Sequence, residues 1–388
     1  MEISTCVKYV GVNDHQVDLF EGQYKVPNGM SYNSYVILDE KIAVMDTVDG
    51  FFTEEWLNNV EQVLSGKTPD YLVIQHMEPD HSASIPAFLK KYPNATVVST
   101  AKGFQFMEQF FPEFFAGQGL PAEQRIVAAN DGVLELGQHS LHFVYAPMVH
   151  WPEVMMTYEA TEKILFAADG FGKFGALDAE EEWADEARRY YIGIVGKYGP
   201  QVQAVLKKAA GLDIQTICSL HGPVLKENLG FYLEKYDKWS SYQPEESGVV
   251  IAYASVYGNT RNAAEYLADV LQEKGQKTVL YDLARCDKAK AVADAFRYDR
   301  LVLAGITYNG DLFPCMRSFI EGLTERNYQN RKVAIIENGT WAPMAGKLIL
   351  GMFEKSKNLT FTETTVSIKS AMNAQNKDEI GKLAEELC

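Results

Sequence analysis

The sequence predicts an α/β protein of two domains, a sheet-rich layered domain followed by a doubly wound parallel sheet. Length is the first observation, because 388 residues exceed the roughly 100–200 residues of a single domain. Charge is the second, because residues 1–248 contain 18 basic and 35 acidic residues, whereas 249–388 contain 18 and 17. All seven histidines also lie in the first part. We therefore expect domains at 1–243 and 249–388, joined by the polar stretch 241–248.

The first domain is predicted from short apolar runs that are separated by turn residues and helical stretches. The expected strands are Tyr35–Leu38, Ile42–Asp46, Leu72–Gln75, Thr96–Ser99, Leu141–Tyr145 and Ile164–Ala168. A helix over 226–240 is expected to lead into the linker. Strands and helices mixed in this way favour a layered α/β structure.

The second domain is predicted from a regular alternation of strands and helices. The expected strands are Val249–Ala254, Thr278–Tyr281, Leu301–Gly305, Val333–Glu337 and Thr362–Ile368. The clearest helices between and after them are Thr260–Glu273, Met316–Glu325 and Lys377–Leu387. Five strands alternating with helices indicate a parallel sheet covered on both faces. Such a sheet binds ligands at the carboxyl ends of its strands.

Composition excludes several classes of protein. A chain with 47% hydrophobic and 12% aromatic residues is globular, because a disordered chain has fewer of both. A net charge of -16 argues against binding nucleic acid through its phosphates. No apolar run approaches the roughly 20 residues of a membrane helix, and no signal peptide is visible. The five cysteines form no CxxC pair. We expect a cytoplasmic protein that binds neither nucleic acid nor membrane.

The segment YLVIQHMEPDHSAS contains the densest group of candidate metal ligands. Four of six consecutive residues after an apolar run are potential ligands: His76, Glu78, Asp80 and His81. Side chains alternate along a strand, so His76 and Glu78 point to the same side. A turn after them can bring the next two residues into the same space. We predict a metal site here, with a solvated polar loop as the alternative.

Three further candidate ligands follow later apolar runs: His150, Asp169 and His221. An acid at the end of an apolar strand is costly unless it is paired or metal-bound, and Asp169 is placed to bridge two metals. Imidazole and carboxylate ligands with open positions suit iron, and two metals about 3.5–4 Å apart can hold one small molecule. We expect His139 and His142 at the surface of a hairpin, and we assign no metal to His15.

A phosphate-binding loop is predicted directly after the first strand of the second domain. The sequence SVYGNT, residues 255–260, combines hydroxyl groups, a glycine and the start of a helix. Backbone amides and the helix dipole together hold a phosphate in such a loop. The alternative is an ordinary turn with a helix cap. Neither GxxxxGK[ST] nor GxGxxG occurs, so a triphosphatase or dinucleotide site is not indicated.

These motifs, in this order, resemble the flavodiiron proteins. The HxExDH cluster, HWPE, LFAAD and SLHGP are similar to their metallo-β-lactamase-like domain, an αβ/βα sandwich. The stretches Gly29–Gly50 and EARRYY are similar as well. SVYGNT resembles the flavodoxin phosphate loop, so the second domain would be flavodoxin-like. Hydrolytic relatives usually have histidine where this chain has Glu78.

The resemblance implies two cofactors, a pair of iron ions and FMN. The implied iron ligands are His76, Glu78, Asp80, His81, His150, Asp169 and His221, with Asp169 bridging. The implied FMN contacts are Ser255, Val256, Tyr257, Gly258, Asn259, Thr260, Thr307, Tyr308, Asn309, Gly310, Asn338, Gly339, Thr340 and Trp341. Tyr190 or Tyr191 would donate a hydrogen bond to the bound substrate. Whether His81 binds iron directly, and which tyrosine faces the site, stay open.

The implied activity is reduction of dioxygen to water, of nitric oxide to nitrous oxide, or of both. Electrons would pass from FMN to the iron pair. An external donor, most simply a rubredoxin, would supply them, because no CxxC pair for a fused rubredoxin is present. The resemblance also implies a head-to-tail homodimer, in which each flavin serves the partner's metal site.

Two other functions stay open at this point. One is a zinc-dependent metallo-hydrolase with a flavodoxin-like appendage, and the other is a non-enzymatic redox-sensing flavoprotein. Metal content and turnover distinguish the three. Glu78 and a bridging Asp169 argue against both alternatives, since the harder, more anionic site they form suits iron.

Overall fold

The computed structural model describes residues 3–117 and 120–388, and the chain divides into two compact units. The first unit contains the residues up to Tyr191 together with Pro200–Tyr236, and the second contains Ile192–Gly199 and Asp237–Cys388. The stretch 241–248, which the sequence suggests as a linker, lies within the second unit. Among the described residues, no helix combines the length and apolar character needed to span a membrane.

The first unit is built on two main sheets. Its strands are β1 (Val7–Tyr9), β2 (Val12–Asp14), β3 (Leu19–Phe20), β4 (Tyr24–Lys25), β5 (Met30–Tyr32), β6 (Tyr35–Ile37), β7 (Ala43–Met45), β8 (Tyr71–Val73), β9 (Thr96–Ser99), β10 (Arg125–Val127), β11 (Val133–Glu135), β12 (Ser140–Tyr145), β13 (Met155–Glu159), β14 (Ile164–Phe166) and β15 (Thr216–Cys218). One sheet has the order β1-β6-β7-β8-β9-β10 and the other the order β11-β12-β13-β14-β15. The short pairs β2–β5 and β3–β4 are separate.

The two sheets of the first unit share one apolar core. Met45 and Val73 of the first sheet and Phe143 and Phe166 of the second belong to the same buried cluster. The sheets therefore pack face to face, as expected for a sandwich. The helices between residues 53 and 240 are α1 (Thr53–Leu64), α2 (Pro79–Ser82), α3 (Ile85–Lys91), α4 (Ala101–Phe110), α5 (Pro112–Gly117), α6 (Trp183–Tyr190), α7 (Gly199–Ala209) and α8 (Leu229–Ser240). Shorter helical turns span Gly50–Phe52, Ala122–Gln124, Tyr191–Val195 and Gly196–Tyr198.

The second unit is a five-stranded parallel sheet with helices between its strands. Its elements are β16 (Glu246–Tyr253), α9 (Asn259–Glu273), β17 (Thr278–Asp282), α10 (Lys288–Arg297), β18 (Tyr298–Tyr308), β19 (Asp311–Leu312), α11 (Pro314–Thr324), β20 (Arg331–Asn338), α12 (Ala345–Met352), β21 (Leu359–Ile368) and α13 (Ala374–Glu386). The strand order is β17-β16-β18-β20-β21, and the short β19 pairs antiparallel with the last residues of β18. All pairs along this path are parallel, which confirms the predicted doubly wound sheet.

The strand order of the second unit fixes where a ligand binds. Numbered within the unit, the order is 2-1-3-4-5, so the chain changes direction across the sheet between β16 and β18. Ligands bind at such a switch point, beyond the carboxyl ends of the strands. The loops after Tyr253, Tyr308 and Asn338 meet at this edge.

One predicted surface position is wrong. His139 is only 4% exposed, and it lies between β11 and β12. The Oδ2 atom of Asp39 accepts from the His139 backbone N–H at 2.7 Å and from its Nδ1 at 2.9 Å, which draws the ring inward. His142 on β12 is half-buried, whereas His15 is paired with the exposed Asp178 at 3.1 Å.

Candidate metal centre and flavin pocket

The candidate metal ligands come from the ends of strands in both sheets of the first unit. Beyond β8 the chain stays extended, with the Ile74 N–H bonded to the Val98 carbonyl at 2.8 Å, and it reaches His76 two residues later. Pro79 then begins the short helix α2, which carries Asp80 and His81. The other three ligands follow later strands, in the turn after β12, after β14 and after β15: His150, Asp169 and His221.

A first group of ligand atoms consists of His76, Glu78, His150 and Asp169. The Oε2 atom of Glu78 lies 3.2 Å from Nε2 of His76 and 3.0 Å from Nε2 of His150. The Oδ2 atom of Asp169 lies 3.4 Å and 3.0 Å from the same two nitrogens. Two imidazoles and two carboxylates therefore face one point.

A second group consists of Asp80, His81 and His221. The Oδ2 atom of Asp80 lies 3.3 Å from Nε2 of each histidine, and the two Nε2 atoms are 3.1 Å apart. His81 therefore lies among the candidate ligands of this group, and its position favours direct metal binding.

Asp169 faces both groups. Its Oδ2 atom points to the first group, while its Oδ1 atom lies 3.2 Å from Nε2 of His81 and 3.9 Å from Nε2 of His221. The preceding residue, Ala168, has a φ of 47° in the left-handed region, and strained backbone of this kind is frequent at functional sites. One carboxylate with an oxygen toward each group has the geometry of a metal bridge.

Outer partners fix the orientation of two of the imidazoles. Nδ1 of His76 lies 2.7 Å from Oε1 of Glu153, and Nδ1 of His221 lies 2.7 Å from the carbonyl oxygen of Ser31. Both acceptors require the proton on Nδ1, so the lone pair of each ring is on Nε2 and points to the ligand groups. The sequence did not identify these partners.

The charges of the cluster raise the pKa values of His76, His81 and His150 and lower those of Glu78 and Asp169. Burial lowers the pKa of His150, but hydrogen bonds to Asp169 and Glu78 outweigh burial and raise it to about 9. Burial also lowers the pKa values of His76 and His81. The nearby carboxylates outweigh burial, so both pKa values are raised. Burial raises the pKa values of Asp169 and Glu78, but the surrounding imidazoles hold both well below their usual range. The negative potential of the carboxylates, which favours protons on these imidazoles, equally favours metal cations at the same place.

The donor set fits two iron ions. Within the described residues, the carboxylates of Glu78, Asp80 and Asp169, of which the last two are buried, form ion pairs with histidines alone. Both carboxylate oxygens of Asp80 and Oδ1 of Asp169 are buried, and no described residue gives them a well-oriented hydrogen bond. Buried anionic oxygens without donors are costly unless a cation binds them. Oxygen and imidazole ligands in this ratio suit iron.

The two candidate tyrosines occupy different environments. Tyr190, at the end of α6, is buried with its ring centroid 5.5 Å from that of His221. Burial and the negative charges of the carboxylates raise its pKa well above the usual value, so the hydroxyl keeps its proton. Tyr191 instead packs against Tyr236, with ring centroids 5.1 Å apart. Tyr190 is therefore the tyrosine adjacent to the ligand groups.

The second unit contains a cavity of about 580 Å³ at the predicted edge of its sheet, within the roughly 300–1,000 Å³ of ligand pockets. Thirteen of the fourteen predicted flavin-contact residues line it, from all three predicted loops. Gly258 does not line it. Its φ of 91° forms the turn into α9, and its N–H donates to Oγ of Ser255 at 3.1 Å. The start of α9 therefore offers backbone amides to a phosphate.

Exposed aromatic rings surround the cavity. Tyr257 is 92% exposed and Trp341 is 82% exposed, although large aromatic side chains are normally covered. Rings held open at a cavity mouth can stack on a planar ligand such as the flavin isoalloxazine. Within the third loop, Asn338 Nδ2 donates to the Ser370 carbonyl at 2.9 Å, which holds the loop in place.

Four residues that line the cavity are not among the fourteen predicted contacts: Ile306, Ala342, Met344 and Ser370. Ile306 and Ala342 adjoin predicted residues in sequence, and Met344 lies three positions after Trp341, so longer loop windows include them. Ser370 follows β21, and its place depends on strand order, which no local motif records.

Two family models match separate parts of the chain. Residues 30–222 match the ODP family β-lactamase, and residues 250–358 match the flavodoxin domain. The anaerobic nitric oxide reductase flavorubredoxin of Vibrio vulnificus is 27% identical over 391 residues, covering 97% of this chain and 76% of that protein.

Two solved structures are similar over the whole chain. The flavodiiron protein of Giardia intestinalis has a TM-score of 0.90 at 26% identity, covering 100% of this chain and 96% of that one. The rubredoxin oxygen:oxidoreductase of the anaerobe Desulfovibrio gigas has a TM-score of 0.91 at 24% identity, covering 100% and 97%. The second likeness shows a shared fold.

Proposed function

We propose, from the premise that the chain belongs to the flavodiiron proteins, that it reduces dioxygen to water, nitric oxide to nitrous oxide, or both. One observation carries the proposal, namely that Asp169 presents an oxygen to each of two ligand groups in a chain that also has a flavin-sized pocket. The cofactors are FMN in that pocket and two iron ions. The proposed iron ligands are His76, Glu78, His150, Asp80, His81 and His221, with Asp169 shared.

When bound, the flavin supplies electrons and the iron pair supplies open coordination positions for a small molecule. The protein's own contribution is orientation. Glu153 and the carbonyl of Ser31 hold two imidazoles with Nε2 toward the metals. Phe20 packs edge-on against His221 at 5.4 Å, and it shields that side of the site from water. A dry, fixed site strengthens every charge interaction within it.

We assign Tyr190 as the residue that donates a hydrogen bond to the bound substrate. Its ring lies against His221, and the local negative charge keeps its hydroxyl protonated at neutral pH. A positioned donor stabilises the negative charge that develops on the substrate oxygen during reduction. Tyr191 is assigned a packing role against Tyr236.

The test of the proposed function starts with the purified protein, its iron and FMN content measured, reduced under anaerobic conditions. Consumption of nitric oxide and of dioxygen is then followed with electrodes. The proposal expects rapid consumption of at least one gas, dependent on both iron and FMN. Zinc without iron, together with hydrolytic turnover, would support the hydrolase instead. A protein that holds iron and FMN but consumes neither gas would be the redox sensor.

We further propose that the chain works as a head-to-tail homodimer fed by an external donor such as a rubredoxin. The name of the similar flavorubredoxin of Vibrio vulnificus supports this donor. Complementation tests the dimer: Asp169→Asn lacks iron, and Ser255→Asp places a carboxylate against the flavin phosphate. Random exchange of the two inactive variants should restore about one quarter of the activity if flavin serves the partner's site. No restored activity in demonstrably mixed dimers would contradict that arrangement.

The donor is proposed to dock over the FMN loops, attracted by nearby basic residues. Arg261 lies 3.7 Å from Glu265, and Arg317 pairs with Asp311, so each positive charge is partly neutralised. Reversal of both charges should lower kcat/KM for an acidic donor a few-fold at low salt and have little effect at high salt. A kcat/KM that does not change at either salt concentration would contradict this docking site.

A further inference from the structure

We propose that Cys6, His139 and Glu162 form a second metal site in the first unit, one that binds a single Zn²⁺ ion. One ligand atom from each residue lies within 4.8 Å of the other two. In tetrahedral zinc sites the bonds are about 2.0–2.3 Å, which places ligand atoms roughly 3.3–3.8 Å apart. Small side-chain rotations therefore suffice for all three to bind one ion, with water as the fourth ligand.

The three residues lie at the opposite ends of the strands from the iron ligands. Cys6 directly precedes β1, and Glu162 lies in the turn that leads into β14. His76 and Asp169 follow the carboxyl ends of β8 and β14. The proposed zinc site thus shares no residue and no strand end with the iron site.

His139 is held in the orientation that a metal ligand needs. Its Nδ1 lies 2.9 Å from Oδ2 of Asp39, and the same oxygen accepts from its backbone N–H at 2.7 Å. Burial raises the pKa of Asp39, but these hydrogen bonds outweigh burial and lower it, so the carboxylate stays ionised. With the proton on Nδ1, the lone pair is on Nε2. A carboxylate that orients a histidine in this way is typical of zinc sites.

Glu162 provides a second, independent observation. Its Oε2 atom is buried, and no described residue forms a hydrogen bond with it. Its backbone N–H donates to Oε2 of Glu159 at 2.7 Å, which fixes the turn and hence the direction of the side chain. A buried carboxylate oxygen without a donor is costly, and a bound cation removes that cost.

Cys6 makes the site selective. The thiol is free of any disulfide and half-buried, and burial and the nearby Glu162 raise its pKa, so it is a poor nucleophile by itself. Thiolate and imidazole ligands favour zinc over magnesium and calcium. The iron site has no thiolate among its candidate ligands. A bound ion would tie the segment before β1 to the turns before β12 and β14, which would stabilise this end of the sandwich.

The experiment uses the holoprotein with iron and FMN in place. Equilibrium dialysis against buffered free Zn²⁺, followed by counts of zinc, iron and FMN, gives the stoichiometry and the Kd. The proposal expects one zinc per chain with iron retained. Cys6→Ser and Glu162→Gln should each raise the zinc Kd by at least about 10-fold, because even an outer partner contributes that much. Asp39→Asn should raise the Kd by roughly 10-fold or more for the same reason.

Cys286→Ser is the matched control, since this half-buried thiol lies in the second unit, away from the cluster. It should bind zinc as the wild type does. With saturating Co²⁺ as the probe, a thiolate-to-metal absorption band should appear in the wild type and in every variant that keeps Cys6, and it should be absent in Cys6→Ser. Thermal unfolding shows whether each variant is folded. Zinc that enters only by replacing iron, or zinc binding unchanged in both Cys6→Ser and Glu162→Gln, would overturn the proposal.

Discussion

Replacement of Asp169 by asparagine is the most direct test of the proposed iron centre. The substitution keeps the shape of the side chain and one carbonyl oxygen, but it removes the negative charge shared by the two ligand groups. Asp169 lies 3.0–3.4 Å from three of the four Nε2 atoms and 3.9 Å from the fourth. We therefore expect Asp169→Asn to lose iron from both positions while it keeps FMN.

The loss of iron-binding free energy can be worked out from the negative charge that Asp169→Asn removes. At an effective dielectric constant of about 20, a unit charge 4 Å from another contributes about 4 kcal/mol. The amide oxygen of the asparagine still interacts with each ion and retains part of this energy. The binding free energy of each iron is therefore weakened by about 3 kcal/mol or more. Since 1.4 kcal/mol corresponds to a factor of ten, the Kd of each iron should rise by roughly 100-fold or more. Because the imidazoles stabilise the ionised carboxylate of Asp169, the variant also loses these contacts in the metal-free protein, and thermal unfolding is measured to show that it is folded.

The assay is dialysis against increasing concentrations of a ferrous chelator, followed by measurement of iron and FMN per chain. Asp178→Asn is the matched control, since this exposed aspartate pairs with His15 and lies outside both ligand groups. The control should keep its iron at chelator concentrations that empty Asp169→Asn. If Asp169→Asn keeps two irons per chain as firmly as the control does, Asp169 does not bridge, and the assignment of both groups is wrong.

Three other predictions follow from single contacts. Tyr190→Phe should keep iron and FMN but lower the turnover rate roughly 10–100-fold, whereas Tyr191→Phe should turn over as the wild type does. If the two variants had the same turnover rate, the assignment of Tyr190 as the hydrogen-bond donor would be contradicted. Glu153→Gln should raise the Kd of one iron roughly 10–100-fold, because the orientation of His76 is lost. If the Kd values of both irons rose equally, or if neither rose, this role of Glu153 would be contradicted. Trp341→Ala should raise the FMN Kd roughly 3–10-fold, as expected from an aromatic contact of about 0.5–1.5 kcal/mol, with no change in Tm; unaltered flavin titration would exclude stacking.

The candidate sites follow from a rule about strand ends, and this is why the sequence predicts so much of them. Polar residues directly after buried strands converge at one edge of a sheet, so His150, Asp169 and His221 are found from short windows of sequence. The outer partners obey no such rule. The carbonyl of Ser31 reaches His221 across 190 positions of the chain, and only the folded sheets bring them together.

The same limit explains the wrong prediction for His139. Polar and apolar residues alternate in the segment GQHSLHF as they do in a surface hairpin. No local feature distinguishes its first histidine from its second. The difference arises from Asp39, which is 100 residues away in sequence and accepts two hydrogen bonds from His139. Strand lengths fail in a similar way, because β18 extends to Tyr308 through its pairing with β19, whereas the apolar run predicts an end at Gly305. Local patterns predict an element, while pairing sets where it stops.

The presence of Glu78 favours a redox iron centre over a hydrolytic zinc centre in the first unit. A zinc site needs to hold only a divalent ion, whereas an iron site that exchanges electrons must hold both the ferrous and the ferric charge. Glu78 adds a third, half-buried carboxylate to the buried Asp80 and Asp169, and its Oε2 atom lies within 3.2 Å of two histidine nitrogens. Each added negative ligand stabilises the ferric state more than the ferrous state, because the Coulomb energy scales with the charge of the ion. A histidine at this position would leave two carboxylates, enough for divalent ions. The third carboxylate is therefore best explained by a centre that must also stabilise trivalent iron.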